Sequence, residues 1–172
     1  MVIGAETLSR IVDDYDRDSM IYADGAGATI VERSDDGGEI IAHESATYAN
    51  DEANFLFFGD SYNKEDEKKA YYIKMYGRKI YEFAVTNVPS AMASCLDSSG
   101  IKIDEAIVKR FYKIYDKEMP EGIMPMSISK LGNSSVATIP TLFDMVKAGK
   151  LENQEIKKGD VVIFASVGAG MN

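Results

Sequence analysis

The segment Gly132-Asn133-Ser134-Ser135 stands directly before an apolar-periodic run that begins at Val136. A carboxamide takes no proton at neutral pH, yet a fixed one donates a hydrogen bond to developing negative charge. Gly132 permits a tight approach, and the hydroxyl of Ser134 or Ser135 is expected to cap the helix that follows. Two readings of Asn133 stay open at this level: a turn or cap residue without chemistry, or one arm of an oxyanion-stabilising site. The partners such a site needs are scarce, because the chain has one cysteine, Cys95, and one histidine, His43. Cys95 falls on the apolar side of an expected helix, where a thiol packs as a small hydrophobe. His43 has no second His or Cys nearby for a transition-metal site, and no carboxylates are spaced as a calcium loop.

Two glycine-rich turns could also approach a ligand. Gly168-Ala169-Gly170 reads as tight packing or as a phosphate loop, but neither a following Lys-Ser or Lys-Thr nor a helix start supports nucleotide binding. Asp24-Gly25-Ala26-Gly27 lacks the spacing of a dinucleotide-binding turn.

The elements that must position these residues follow from periodicity. Ile21 to Arg33 is expected as a strand pair, or one strand interrupted at Asp24-Gly25-Ala26-Gly27-Ala28, whose small residues admit another backbone. Asp35-Asp36-Gly37-Gly38 signals a turn, with a strand resuming at Glu39 to Glu44. Phe55 to Phe58 is apolar, Asn63 to Lys69 is a solvated charge run, and Tyr71 to Tyr76 is extended. A helix opens at Gly77-Arg78 with Ile80, Phe83, Ala84, Val88, Ala91, Met92 and Cys95 on one face; Pro89 implies a kink or restart, and Ser98-Ser99-Gly100 ends it. Asp104 caps a second helix, with Ile107, Phe111 and Ile114 inward. A third follows Asn133, buried through Val136, Ile139, Leu142, Phe143 and Val146 and stopped by Gly149. A buried strand is expected at Val161 to Ala165. Strands alternating with helices give an α/β class. The link Gly100-Ile101-Lys102-Ile103 is abnormally short for two helices packed on one sheet.

The 172 residues suffice for one domain with a core, and 45% hydrophobic with 27% charged residues is ordinary for a globular chain. A formal charge of −9 argues against nucleic-acid binding, though an acidic partner can still meet a local basic patch. No run approaches the ~20 apolar residues of a membrane span, and Met1 to Arg10 has no signal-peptide pattern. A single cysteine forms no internal disulfide and fits a cytoplasmic location.

Asp24-Gly25-Ala26-Gly27-Ala28, Lys74-Met75-Tyr76-Gly77-Arg78, Leu131-Gly132-Asn133-Ser134-Ser135-Val136-Ala137 and Val167-Gly168-Ala169-Gly170 occur in the order seen in β-ketoacyl-acyl carrier protein synthase III. Nearly the whole chain resembles about the C-terminal half of such a thiolase-fold condensing enzyme. The resemblance implies an incomplete thiolase-like α/β fold, a mixed sheet flanked by helices. Residues 1–34 would be the end of the N-terminal half, and 35–172 a C-terminal domain shortened near 103–106.

The implied activity is decarboxylative Claisen condensation of an acyl thioester with malonyl-acyl carrier protein in fatty-acid biosynthesis. That site uses a Cys nucleophile, a His and an Asn. The resemblance gives the Asn role to Asn133 and an oxyanion-hole backbone N–H to Ala169, where the family usually has Gly. Gly77 and Tyr81 would line the substrate tunnel, and Lys109 and Arg110 would meet the acyl carrier protein. Glu82 stands where many relatives place Lys.

The family's Cys belongs to the other half, and its His-Gln-Ala-Asn motif has no counterpart between Ile103 and Ala106, so the chain alone is expected to be inactive. The alternatives are a non-catalytic module binding acyl groups or carrier protein, or half of a split enzyme. Acyl carrier protein and acyl-coenzyme A are the implied partners; no cofactor, metal, nucleic acid or membrane is expected. The family is homodimeric, but most of that contact lies in the other half. Loss of a central strand would leave an isolated chain marginal, aggregating or partner-dependent.

Overall fold

The computed structural model describes residues 1–35, 38–65, 67, 70–101 and 124–168. The expected helix from Asp104 and the shortened stretch at 103–106 lie outside the described residues, as do Lys109, Arg110 and Ala169.

Two antiparallel strand pairs organise the chain. Strand β1 (Val2–Glu6) pairs with β2 (Gly25–Thr29), with Gly4 opposite Gly27. Strand β3 (Leu56–Gly59) pairs with β4 (Tyr72–Met75), with Phe58 opposite Ile73. The Gly-rich stretch expected to interrupt a strand is therefore the strand itself. Its partner β1 carries no turn signal linking the two, because short 3₁₀ turns at Leu8–Arg10 and Arg17–Ile21 fill the connection. Among the described residues the strands form these two separate sheets, and an isolated parallel bridge joins Tyr22 to Asn133.

Small residues decide how β2 packs. Gly25 and Gly27 share one face of the strand. A Cβ at Gly27 would stand 2.5 Å from Cγ of Pro140, and one at Gly25 would stand 2.7 Å from Cβ of Ser134. Helix α3 (Thr138–Lys147) and the 3₁₀ turn before it, Ser135–Ala137, lie against this face. The opposite face carries Ile3, Ala5, Ala26 and Ala28, all exposed.

Helix α1 (Gly77–Ser99) runs unbroken through Pro89 instead of restarting there. Near the proline, the Thr86 and Asn87 side chains bond back to the Glu82 and Phe83 carbonyls at 2.8 and 3.0 Å. Gly100, at φ 68, ends the helix as expected. Its inward face holds Met92 buried and Ile80, Phe83, Ala84, Val88, Ala91 and Cys95 half-buried. Among the described residues no helix is long and apolar enough to cross a membrane.

Three further expectations change. Glu39 to Glu44 forms no strand; its segment lies near α1, where the Ser94 hydroxyl donates to Glu44 and Tyr48 meets Phe83 edge-on. Val161 to Ala165 is neither strand nor buried: Val161, Val162 and Phe164 are 45%, 41% and 57% exposed, and an edge contact with Phe143 holds Phe164 near α3. Val136 is exposed rather than part of the buried stripe, because it sits in the 3₁₀ turn before α3 begins. Val146 is buried, and Gly149 at φ 64 follows the end of α3.

The core is thin: Leu8, Ile73, Met92, Ala137 and Val146 are its buried apolar members among the described residues.

Candidate functional site

Asn133 follows a short helix α2 (Ile128–Leu131) and a glycine that no L-residue replaces without strain. Gly132 has φ 65 and ψ −158, and a Cβ there would stand 3.0 Å from both Ala23 Cβ and the Ile21 carbonyl oxygen. That closeness lets the backbone of Asn133 lock onto the chain entering β2. Its N–H donates to the Ile21 carbonyl at 2.7 Å, and its own carbonyl accepts from Ala23 N–H at 2.9 Å.

The side chain is held as well, since Asn133 Oδ1 accepts from Ser135 N–H at 2.9 Å. Ser135 reaches this geometry at φ 53, a left-handed conformation that costs a non-glycine residue about 1–2 kcal/mol. The serine hydroxyls do not cap the helix as expected. The N-cap residue of α3 is Ala137, with no side-chain cap bond, while Ser134 is buried with Oγ 3.3 Å from Thr138 Oγ1. The carboxamide itself is exposed.

The other expected site residues stand apart from this turn. Gly77 opens α1 and lies beside the Asp18 carboxylate, with Cβ room of 3.5 Å. Tyr81 is one turn further along and 44% exposed. The residues that clamp Asn133 are Ile21, Ala23 and Ser135, none of them on α1. Glu82, the departure from the family pattern, pairs with Arg78 at 2.8 Å on the surface of α1. His43 is exposed, and Cys95 is half-buried on α1. Among the described residues no His, Cys, Asp and Glu gather as metal ligands.

A second polar cluster escaped the reading of the sequence. Lys74 points from β4 into the loop between the first two 3₁₀ turns. Its Nζ donates to Asp13 Oδ2 at 2.5 Å, lies 3.2 Å from Asp16 Oδ2 and stands 3.8 Å from the centre of the Tyr62 ring. Asp13 and Lys74 are 1% and 3% exposed. Asp13 also accepts from the N–H groups of Tyr62 and Tyr15 at 2.8 and 3.1 Å and from the Ser61 hydroxyl at 3.0 Å.

Burial pushes the Asp13 carboxyl up, but the Lys74 ammonium and the three further donors outweigh it and bring the pKa to about 2. Burial likewise pushes Lys74 down, and its two carboxylates more than reverse this, raising it above the ordinary lysine value. A lysine that keeps its proton is neither base nor nucleophile, so this cluster pins structure. Beside it, burial and the charges of Asp16 and Asp18 push Tyr22 up to about 12. The detectable signal was a carboxylate run, Asp13 to Asp18, with one basic residue, and a lysine inside the apolar strand Tyr72-Ile73-Lys74-Met75.

Comparison with known proteins places the clamped turn in context. Residues 1–60 match the family model of 3-oxoacyl-[acyl-carrier-protein] synthase III, and residues 91–172 match the model of that family's C-terminal part. The chain is similar to the beta-ketoacyl-[acyl-carrier-protein] synthase III proteins of Aquifex aeolicus and Oceanobacillus iheyensis, each 32% identical across 99% of this chain and 54% of the relative. The protein of that name from Lactobacillus delbrueckii is 30% identical over 99% of this chain and 56% of its own length. The chain thus spans about half the length of the curated relatives it matches. With both family models falling on it in their proper order, the chain belongs to the 3-oxoacyl-[acyl-carrier-protein] synthase III family.

Proposed function

We propose that these residues supply the asparagine arm of a decarboxylative Claisen condensation between an acyl thioester and malonyl-acyl carrier protein. The observation that carries this is the Asn133 turn, a carboxamide clamped at backbone and side chain within a family-matched stretch. In that reaction the malonyl C–C bond breaks to release carbon dioxide and leaves an enolate. The enolate carbon attacks the acyl carbonyl, and the acyl C–S bond breaks to free the thiolate. Asn133 Nδ2 donates to the enolate oxygen, and the Ala169 N–H serves as the donor to the acyl oxyanion. Gly77 and Tyr81 line the substrate arm, while Lys109 and Arg110 meet the acidic carrier protein.

The surrounding architecture is thiolase-like, with 1–34 closing one half-domain and 35–172 forming most of the second, shortened near 103–106. The 172 residues carry no suitable thiolate or imidazole, since Cys95 lies half-buried on α1 and His43 is exposed in the stretch after β2. Both groups must come from other residues, so this polypeptide alone does not turn over. An exposed amide also keeps water as a competitor until neighbouring surfaces cover it.

The direct test is acylation by radiolabelled acetyl-coenzyme A. The polypeptide alone takes up no label; a mixture with the N-terminal half and the His-Gln-Ala-Asn segment of a relative, which supply the thiolate and the imidazole, takes up label and forms a 3-oxoacyl product that Asn133→Ala abolishes. Label on Cys95 of the isolated chain would refute this division of roles, and an unchanged Asn133→Ala mixture would remove Asn133 from it. The position of Cys95 and His43 favours a second reading, a module that binds acyl groups or carrier protein without reacting. Saturable binding of carrier protein, with no product in any mixture, would select it.

A further inference from the structure

We infer that Ser135 is the positioning residue of the Asn133 carboxamide, an assignment that deepens the enolate role proposed above and rests on it. Asn133 can present its amide in either of two orientations related by a half-turn about Cβ–Cγ, and only one offers a donor to an enolate. The backbone of the turn chooses between them. An N–H group cannot face an NH₂ group favourably, so Ser135 N–H, 2.9 Å from the carboxamide, must meet its oxygen. Nδ2 then points away from Ser135, and among the described residues nothing accepts from it.

Three features converge on this arrangement. Ser135 holds φ 53, unusual for a residue with a side chain, and that conformation aims its N–H back at Asn133. The Asn133 backbone is fixed on both sides by Ile21 and Ala23. Ser134, the next residue, is buried against the close approach of Gly25. The peptide is thereby immobilised before and after the amide, and the bond from Ser135 N–H restrains the side chain's rotations about Cα–Cβ and Cβ–Cγ. Preorganisation of this kind lets a donor act without reorienting as charge develops.

The test uses the 172-residue chain labelled with ¹⁵N and ¹³C, mixed with the unlabelled N-terminal half and His-Gln-Ala-Asn segment of a relative. A scalar coupling across the hydrogen bond, from Ser135 ¹⁵N to the Asn133 side-chain carbonyl carbon, is expected in the native chain and in Ser135→Gly. The glycine variant keeps the N–H and suits the left-handed backbone. Asn133→Asp keeps the acceptor and the coupling but loses the donor. Malonyl-coenzyme A is then added as probe, with the Asn133 NH₂ signals as readout.

These signals shift saturably in native and Ser135→Gly chains. Replacing Ser135 by its α-hydroxy acid, which removes the N–H donor and sets an ester oxygen in its place, weakens that response by about tenfold or more, at least the worth of one hydrogen bond. A missing coupling in a chain whose backbone shifts retain the turn overturns the assignment, as does an undiminished response in the α-hydroxy acid variant. If the coupling is present but malonyl-coenzyme A leaves the NH₂ signals unmoved, the fixed amide stands and the enolate role falls.

Discussion

At β1–β2 the neighbouring helix comes close because side chains are left out, with Gly25 and Gly27 opening the sheet face to Ser134 and Pro140. At β3–β4 the neighbouring loop comes close because a charge is put in, with Lys74 drawing Asp13 and Asp16 onto the strand. The first arrangement places the Asn133 turn through backbone bonds and contact distance, neither of which changes with pH. The second is electrostatic and carries no chemistry of its own. Support of the first kind holds a neutral amide in one geometry whatever the charge state of the groups nearby.

The largest effect expected from disturbing this contrast is at Lys74. Lys74→Met leaves Asp13 buried without its cation and lowers stability by about 3–5 kcal/mol, read as a lower urea midpoint. Lys74→Met combined with Asp13→Asn recovers a large part of the loss. An unshifted midpoint in the single variant would show that the pair does not secure β3–β4.

Acid gives the next effect. The Asp13 carboxyl has its pKa lowered to about 2 in the folded chain against about 3.9 unfolded, so its ionised form contributes about 2–3 kcal/mol above pH 4. That contribution disappears as the pH falls from about 4 to 2. Urea midpoints across this range should fall in the native chain and fall less in Asp13→Asn.

Gly132→Ala probes the other region. A side chain at φ 65, 3.0 Å from the Ile21 oxygen, costs about 1–3 kcal/mol and slackens the bond from Asn133 N–H to Ile21, visible as faster amide exchange at Asn133. The loss should be the same at pH 3 and pH 7, unlike that at Lys74. Smallest is the titration of Tyr22. Its pKa is raised, so the stability it lends is whole below the unfolded value near 10 and lost as pH rises through about 12. Absorbance at alkaline pH should show one phenol ionising after the exposed tyrosines, and Tyr22→Phe should remove that late step.

What the sequence revealed divides along the same line. Local signals are legible: the α1 face from Ile80 to Cys95, its stop at Gly100, the stop of α3 at Gly149, and the extended segment around Ile73, whereas the apolar run around Phe57 is not recognisable as a strand until β4 pairs with it. The small residues at 24–28 do mark a place of close approach, but they form β2 rather than a break in a strand. Features set by distant partners were not legible. Val2–Glu6 becomes a strand because Gly25–Thr29 pairs with it, and Val161 to Ala165, equally β-prone, finds no partner strand among the described residues. Ser135 was expected as a helix cap through its hydroxyl, and it acts through its N–H because the helix starts later, at Thr138. Lys74 and Asp13 are 61 positions apart, so no periodicity links them.

That separation has a consequence for how the chain is made. Ribosomes add about 5–20 residues per second, so Asp13 emerges several seconds before the lysine that will bury it. Throughout that interval its carboxylate is hydrated, and the neighbouring loop cannot close without stranding a charge. The first strand pair has no such wait, since all of its residues are synthesised by Thr29. Vectorial synthesis therefore gives the chain a built-in order, with the glycine-faced sheet available early and the charge-pinned one completed only after β4 has left the tunnel.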